Sequence, residues 1–295
     1  MHVMRFVNRL ARRTIRDWCP PIFKRVLART FFSPRPTEPT FSGDFATWED
    51  AVAVGGTYDS EAVFEKTAQS VLMIRDGKGL YERDSVIFHE HDPLFPWPLL
   101  ANLLSCALNH GGQLNVVDFG GAIGSTYFQC KPFLHAVKEL NWTVLDQPKQ
   151  VAFGQQHLTT EQLRFVSSMD ELNPIAPYSI LILSSVLQYL PNPMEQLNQL
   201  IALGFDYVLL DRTAFWDGDF DRISIQRVPS HIYQASYPAW FFSKTAFDSR
   251  LTDHFIRKSN WICGDRYSLD GLPVEHSGAF WSRKTTLNRE GDSVQ

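Results

Sequence analysis

The residues in this chain with the clearest capacity for chemistry are an aspartate and a group of small residues that follow one apolar run. In NVVDFGGAIGS, Asp118 ends the run, and Gly120, Gly121, Ala122 and Gly124 follow it. Glycine lets the backbone approach a ligand closely, and N–H groups at the start of a helix can face that ligand. The stretch therefore predicts a binding turn for a nucleotide-like ligand, with a plain strand-to-helix turn as the alternative.

The spacing of these small residues distinguishes between two kinds of ligand. A dinucleotide site has the fingerprint G-x-G-x-x-G, but counting from Gly120 places Ala122 and Ser125 at the second and third glycine positions. Counting from Gly121 fails as well. The pattern that fits is D-x-G-x-A-x-G, in which an acid stands where it would repel a pyrophosphate. Such an acid suits a ligand that carries positive charge instead of phosphate.

Other candidate cofactor-binding residues follow the next apolar runs. Asp146 follows WTVL, where a carboxylate can accept hydrogen bonds from both hydroxyls of a ribose, and Gln147 can add a donor. Ser168 and Met169 follow the third run, where a fold of this kind binds an adenine; a core position is the alternative for Met169. Ser184 ends the fourth run and completes this predicted set.

The elements that must position these residues alternate between short apolar runs and longer helical segments. The runs predict strands at Asn115–Phe119, Trp142–Leu145, Leu163–Val166, Ser179–Leu183 and Tyr207–Leu210. The longer segments predict helices at Ser60–Ile74, Leu99–Leu108, Thr126–Leu140 and Met194–Leu203. Strands that alternate with helices indicate an α/β fold with a parallel sheet, whose ligands bind outside the carboxyl ends of the strands.

Several segments of the sequence resemble known methyltransferases. The D-x-G-x-A-x-G pattern is similar to the first motif of class I S-adenosylmethionine-dependent methyltransferases, with Ala122 in place of the middle glycine. A more specific resemblance, over about residues 40–284, is to a little-characterised methyltransferase family of bacterial surface-polysaccharide (lipopolysaccharide or capsule) gene clusters. The segments that carry it are ERDSVIFHE, VVDFGGAIGSTYFQ, SSVLQYL, LLDRTAF and VPSHIYQASYPAWFF.

This resemblance implies a Rossmann-like class I methyltransferase fold, with a mostly parallel central sheet flanked by helices. The helical patterns that precede the sheet in the sequence predict an N-terminal helical cap. The resemblance also implies S-adenosyl-L-methionine as the cofactor and, by association, a small-molecule or lipid-linked glycan as the acceptor. No established catalytic residue of the family can be transferred to this chain.

Two residues are candidates for the general base that an acceptor hydroxyl requires, namely His231 and Asp211. Ordinary packing is the alternative for His231, and a structural ion pair with Arg212 is the alternative for Asp211. The predicted substrate-binding residues are Gln188, Arg212, Tyr233 and Trp240. Tyr233, Tyr237 and Trp240 can form a platform for a sugar ring, with ordinary aromatic core as the alternative, and Arg212 or Arg227 can bind an acidic sugar or a phosphate.

The sequence predicts no metal site. His89 and His91 in FHEHD share one face of an extended strand, but no second cluster of ligands lies nearby in the sequence. The four cysteines are scattered and form no C-x-x-C pair, which favours free thiols over a disulfide framework or a zinc site.

Charge and composition divide the chain into four parts. Residues 1–35 form a basic amphipathic arm with a net charge of +8, and the remaining residues carry −12. Residues 36–110 are predicted as the helical cap, residues 111–285 as the methyltransferase domain and residues 286–295 as a C-terminal tail.

The basic arm and the acidic body indicate different partners. The acidic body argues against nucleic-acid binding. The arm can bind an anionic membrane surface, with a solubilising tail or an organellar transit peptide as alternatives. No apolar run approaches the length of a membrane span. We therefore expect a cytoplasmic protein whose arm associates peripherally with the inner membrane.

Two other functions compete with methyl transfer. An NAD-linked oxidoreductase is disfavoured by the glycine spacing. A methyltransferase fold that only binds, as a partner within a biosynthetic complex, is disfavoured by the complete turn and by Asp146.

Overall fold

The computed structural model describes residues 40–56, 61–83, 85–89, 95–172, 175–228 and 235–284. The basic arm, the C-terminal tail, His91, His231 and Tyr233 lie outside these residues, so the predictions made for them stay predictions.

The described part of the chain contains fourteen strands and seven α-helices. The strands are β1 (Phe41–Phe45), β2 (Tyr81–Arg83), β3 (Val86–Phe88), β4 (Gln113–Phe119), β5 (Glu139–Leu145), β6 (Leu163–Val166), β7 (Ser179–Ser184), β8 (Tyr207–Trp216), β9 (Arg222–Arg227), β10 (Ser236–Ser243), β11 (Phe255–Ile262), β12 (Tyr267–Leu269), β13 (Leu272–Val274) and β14 (His276–Arg283). The helices are α1 (Trp48–Gly55), α2 (Glu61–Arg75), α3 (Trp97–Asn109), α4 (Ser125–Cys130), α5 (Pro148–His157), α6 (Pro193–Ala202) and α7 (Lys244–Thr252).

Seven of the strands form a doubly wound sheet in the order β6-β5-β4-β7-β8-β14-β11. The four pairs between β6 and β8 are parallel, and only β14 runs antiparallel to its neighbours. The chain leaves β4 toward β5 and β6, and then returns to β7 on the other side of β4. The carboxyl ends of β4 and β7 therefore flank a topological switch point, where sheets of this kind bind ligands.

Buried side chains on both faces of this sheet explain its apolar strands. Along β7, Ile180 and Ile182 belong to one core cluster, while Leu181 and Leu183 belong to a second. Successive side chains of a strand point to opposite faces, so both faces are covered. Leu103 of α3 packs in the first cluster. Residues of α6 and α7 pack in the second.

The sheet continues beyond β8 into five further strands, in the order β10-β9-β1-β12-β13. Strand β8 belongs to both parts, because its last two residues pair with β10 after its first residues have paired with β7. The sequence analysis predicts none of these five strands. The region 36–110 is accordingly more than a helical cap, because β1 joins the main sheet and β2 pairs with β3 in a hairpin.

The five predicted strands of the parallel sheet are confirmed, and so are three of the predicted helices. The predicted helix Thr126–Leu140 is wrong in its second half. Helix α4 ends at Cys130, a 3-10 turn covers Lys131–Phe133, and β5 already begins at Glu139. Pro132 explains the early end, because its ring cannot continue an α-helix. No described helix combines the length and the apolar character needed to cross a bilayer.

Candidate functional site

A cavity of about 530 Å³ lies at the carboxyl ends of β4 and β7 and beside Asp211 and Arg212 in the middle of β8. The hairpin β2–β3, the start of α3, the loop between β11 and β12, and strands β9 and β10 supply the rest of its wall. Six of the residues predicted from sequence line it, namely Gly120, Gly121, Ala122, Ser184, Asp211 and Arg212. The cavity therefore occupies the place that the α/β topology assigns to a ligand.

The glycine turn is shaped by one close contact. Gly120 has a φ of +68°, and its N–H donates to the carbonyl of Leu145 at 2.9 Å. A Cβ at this position would lie 2.2 Å from Cγ2 of Val186, which follows β7. Gly124 has a φ of +94° and caps the start of α4, as the sequence predicts. The two loops of the switch point therefore touch at Gly120, and only glycine fits there.

Asp118 lies beneath this turn rather than on the cavity. Its side chain is 1 % exposed, and a Cβ added to Gly121 would come within 2.6 Å of its carboxyl group. The Trp142 Nε1–H donates to Oδ2 at 3.3 Å. Burial raises the pKa of Asp118 to about 7, opposed by the hydrogen bond from Trp142 and reinforced by the charge of Asp146. In this arrangement the buried carboxyl group of Asp118 packs against the backbone of the turn at Gly121.

Asp146 joins the end of β5 to the glycine turn. Its Oδ2 accepts the N–H of Ala122 at 2.7 Å, and its Oδ1 accepts the N–H of Gln147 at the same distance. Gln147 itself is exposed. Ser168 accepts the N–H of Asp170 through its Oγ at 3.2 Å, and Met169 packs on the second core cluster. None of these four predicted residues lines the cavity, but Asp146 contacts the turn that does.

Several residues around the cavity hold left-handed backbone although they are not glycine. Ser85, Ala122, Ser185 and Arg212 have φ between +50° and +64°, and all four line the cavity. Such conformations cost on the order of 1 kcal/mol each for a residue with a Cβ, and they concentrate at functional sites. Ala122 occupies the place of a glycine in the motif that it resembles, so its strain has a direct origin in the sequence.

We expect Ala122→Gly to raise the free energy of unfolding by about 0.5 to 1 kcal/mol, because glycine adopts this φ without strain. The measurement is urea denaturation of both proteins. The control is Ala101→Gly on the exposed side of α3, which should lower stability by about 1 kcal/mol because glycine is a poor helix former. A loss of stability in the Ala122 variant comparable with the control contradicts the strain argument.

Asp211 is one of two buried acids of the cavity wall, the other being Glu82. Its Oδ1 accepts Nε1–H of Trp261 at 3.0 Å and the thiol of Cys263 at 3.7 Å, while its Oδ2 accepts the hydroxyl of Ser184 at 3.2 Å. Burial raises the pKa of Asp211, and the charge of Arg212 and these hydrogen bonds oppose the rise. A held carboxylate at the cavity wall has the chemistry of a general base.

Two predicted substrate-binding residues lie behind the cavity wall. Gln188 is fully buried, and its Nε2 donates to Ser185 Oγ at 3.2 Å and to the carbonyl of Arg212 at 3.0 Å. It therefore braces two of the left-handed residues. Trp240 donates to the carbonyl of Leu190 at 3.0 Å and stacks on Trp48. Neither Gln188 nor Trp240 lines the cavity.

The structure adds residues that sequence reasoning did not assign to the site. Arg83 of the hairpin and Asp265 of the loop after β11 line the cavity, and their side chains meet at 2.9 Å. Tyr189 is a further addition, and it contacts Tyr237, which the sequence analysis names for the aromatic platform, edge to face in the same wall. Arg83 could have been found from the sequence, because it lies in ERDSVIFHE, one of the segments that carry the methyltransferase resemblance. No quoted segment or motif contains Asp265.

The described residues contain no group of three or more histidine, cysteine or acidic side chains placed to hold a metal ion. His89 is described, whereas its predicted companion His91 is not.

Comparison with known proteins gives similarity at the level of fold. No protein-family model and no curated protein matches this chain. Among solved structures, a 1,6-didemethyltoxoflavin N1-methyltransferase from Burkholderia thailandensis, crystallised with S-adenosylhomocysteine, is 15 % identical. It aligns with 85 % of this chain and 98 % of its own, at a TM-score of 0.44.

Two further solved structures are similar at the same level. The magnesium protoporphyrin IX methyltransferase of Synechocystis PCC 6803, with S-adenosylmethionine bound, is 14 % identical over 81 % of this chain and all of its own, at a TM-score of 0.44. An amino pentose methyltransferase from Micromonospora echinaspora is 10 % identical in sequence. It aligns with 63 % of this chain and 91 % of its own, at a TM-score of 0.43. The order and direction of the strands confirm the predicted Rossmann-like fold with a mostly parallel central sheet flanked by helices.

Proposed function

We propose that this protein is an S-adenosyl-L-methionine-dependent methyltransferase whose acceptor is a glycan or lipid-linked glycan of surface-polysaccharide biosynthesis. One observation supports methyl transfer as the reaction. The glycine turn lies at the switch point of the sheet and forms part of the cavity wall. The acceptor class rests on the sequence resemblance alone.

The residues at the switch point fit this cofactor. Gly120 and Gly121 present backbone without side chains to the cavity, and no phosphate-binding fingerprint accompanies them. Asp146 is fixed beside the turn by two backbone hydrogen bonds, in the strand after the turn, where a ribose is held in folds of this type. Ser184 ends β7 on the cavity wall. These residues are the ones we expect to hold the cofactor.

Bound S-adenosylmethionine supplies a methyl group that is already activated by positively charged sulfur. The protein then has to hold the acceptor at near-attack distance and take the proton from its hydroxyl. We propose Asp211 for the second task; the support is that its carboxylate lies on the cavity wall and that burial raises its pKa, which makes it a stronger base. Tyr189 lines the cavity and is the aromatic side chain we expect a sugar ring to contact, while the buried Tyr237 packs against it edge to face.

We expect S-adenosylhomocysteine to bind the wild-type protein and to bind Asp146→Ala at least tenfold more weakly. The reason is the loss of a carboxylate that can accept charge-assisted hydrogen bonds from ribose hydroxyls. Titration calorimetry measures both affinities. Asp170→Ala, an exposed acid after the next strand, is the matched control and should keep the wild-type affinity.

The same titration tests the competing functions. Preferential binding of NAD by the wild-type protein would contradict the proposal in favour of an oxidoreductase. A protein that binds S-adenosylhomocysteine but never transfers a methyl group to extracts of surface glycans would instead be a binding partner in a biosynthetic complex. Absence of binding to either compound removes the enzyme proposal altogether.

We also propose the cellular setting that the sequence predicts, a cytoplasmic protein with peripheral contact to the inner membrane through residues 1–35. The support is the charge of that arm in the sequence, +8 against −12 for the remainder.

A further inference from the structure

We propose that Glu82 binds the positively charged amino group at the amino-acid end of S-adenosyl-L-methionine. This inference rests on the proposed function, because it assigns a residue to the cofactor of that reaction.

Asp118 is the acid that the sequence analysis matches to a positively charged ligand, but the structure places it beneath the turn. It is 1 % exposed, packs against the backbone at Gly121 and accepts Nε1–H of Trp142. Asp118 does not line the cavity. A carboxylate that meets the positive charge of the ligand therefore has to come from another residue of the cavity wall.

Glu82 of strand β2 lies in that wall, beside the glycine turn. Its Oε2 accepts the hydroxyl of Ser125, the residue after Gly124 of the turn, at 2.5 Å. Its Oε1 accepts the N–H of Ser85 at 2.6 Å. Each carboxylate oxygen can accept a second hydrogen bond, and an ammonium group has three donors. Glu82 is only 2 % exposed, and a charge-assisted hydrogen bond is stronger in such a place than in water.

The other two acids that line the described part of the cavity wall are less suited to a cationic group. Asp265 accepts N–H groups from two arginines, Arg83 at 2.9 Å and Arg212 at 3.2 Å. The charge of Arg212 also acts on Asp211. Both acids therefore already interact with a guanidinium group, which weakens their attraction for a further cation.

The position of Glu82 also fits the two ends of the cofactor. Asp146, which we expect at the ribose, contacts the turn through the N–H of Ala122 and does not line the cavity. Glu82 contacts Ser125, the first residue after the turn, and does line the cavity. The two carboxylates thus reach the turn from different elements, one for each end of the cofactor.

The hairpin that carries Glu82 is held in place by helix α2. Ser85 Oγ lies 2.7 Å from Oγ1 of Thr67, and the carbonyl of Ser85 accepts the hydroxyl of Ser70 at 3.2 Å. Glu82 itself accepts the N–H of Ser85. A carboxylate fixed in this way loses little conformational freedom when it binds a ligand.

The first experiment uses the wild-type protein and three ligands. Titration calorimetry compares S-adenosylhomocysteine with its deaminated analogue, which lacks the amino group, and with its decarboxylated analogue, which keeps it. We expect the deaminated analogue to bind at least tenfold more weakly than S-adenosylhomocysteine, because a charge-assisted hydrogen bond is lost. Equal affinity for these two compounds overturns the proposal.

The second experiment uses Glu82→Gln, which keeps the size of the side chain and removes its charge. We expect this variant to bind S-adenosylhomocysteine and the decarboxylated analogue at least tenfold more weakly than the wild-type protein does. Its affinity for the deaminated analogue should be unchanged. Glu139→Gln is the matched control and should keep all three affinities, because Glu139 is exposed, bonded to Gln113 and outside the cavity.

A purely structural role for Glu82 gives a different result. A hairpin displaced by the substitution would weaken all three ligands by similar factors, because the loss would not depend on the amino group. Similar weakening of all three ligands, or of none, overturns the proposal. Urea denaturation checks that the variant is folded, and the comparison of ligands on the wild-type protein does not depend on it.

The same measurements separate this proposal from the proposed function. A wild-type protein that binds S-adenosylhomocysteine and its deaminated analogue equally well retains the function and overturns the assignment of Glu82. A wild-type protein that binds none of the three ligands overturns both.

Discussion

Gly120→Ala is expected to lower the free energy of unfolding by about 3 kcal/mol and to weaken S-adenosylhomocysteine binding at least tenfold. The added Cβ would lie 2.2 Å from Cγ2 of Val186 and 2.8 Å from its Cβ, so one of the two loops at the switch point has to move. The φ of +68° adds a conformational cost of about 1 kcal/mol. Urea denaturation and calorimetry measure the two effects.

The chain offers a closely matched control for this substitution. Gly111 has a φ of +69°, but a Cβ there meets nothing within 4 Å. Gly111→Ala should therefore lower the free energy of unfolding only by the conformational cost of the positive φ, about 1 kcal/mol. It should keep the wild-type affinity for S-adenosylhomocysteine. Adding Val186→Ala to Gly120→Ala should recover part of the difference. Equal losses at the two glycines contradict a steric role for the contact with Val186.

Asp118→Asn is expected to stabilise the protein increasingly as the pH rises. The pKa of Asp118 rises from 3.8 to about 7 on folding, chiefly because the carboxyl group is buried. At a pH between these two pKa values, Asp118 has lost its proton in the unfolded chain but keeps it in the folded protein. The stability of the wild-type protein therefore falls as the pH increases and levels off above a pH of about 7. Asparagine is neutral throughout and avoids this loss.

The expected size follows from the free energy of about 1.4 kcal/mol that corresponds to one pH unit. The advantage of Asp118→Asn should be about 2 to 3 kcal/mol larger at pH 8 than at pH 5, measured by urea denaturation at both values. Asp219→Asn, at an exposed acid, is the control for removing one carboxyl group from the chain. An advantage that is constant over this range contradicts a neutral Asp118 in the folded protein.

The parallel half of the fold could be predicted because its signals are local. Each of its strands is a short apolar run, and the alternation with helices fixes a right-handed, parallel arrangement. The turn after Asp118 could also be predicted, because the aspartate and the small residues that define its spacing lie within seven residues of the sequence. Strands β9 to β14 were missed because they pair mostly antiparallel and carry mixed patterns. The segment Arg222–Arg227 alternates buried and exposed residues only in part.

The candidate site could be predicted only where one segment carries it. The glycine turn, Ser184, Asp211 and Arg212 were found because each follows a predicted strand. The contact between Arg83 and Asp265 joins residues that are 182 positions apart in the sequence. A local sequence pattern cannot predict such a pair. The burial of Asp118 was also beyond the sequence, because it depends on how the glycine turn folds back over the strand that precedes it.

The place of Asp211 within β8 has a consequence for how this protein can diversify. Asp211 lies in the middle of β8, paired with Ser184 of β7 on one side and next to an irregularity in the pairing with β14 on the other. A carboxylate on such a strand cannot move to meet different substrates. The hairpin β2–β3 and the loop that carries Asp265 can change in sequence without disturbing that strand. If Asp211 is the base we propose, the compound that reaches it is therefore set by these two segments and not by the strand that carries it.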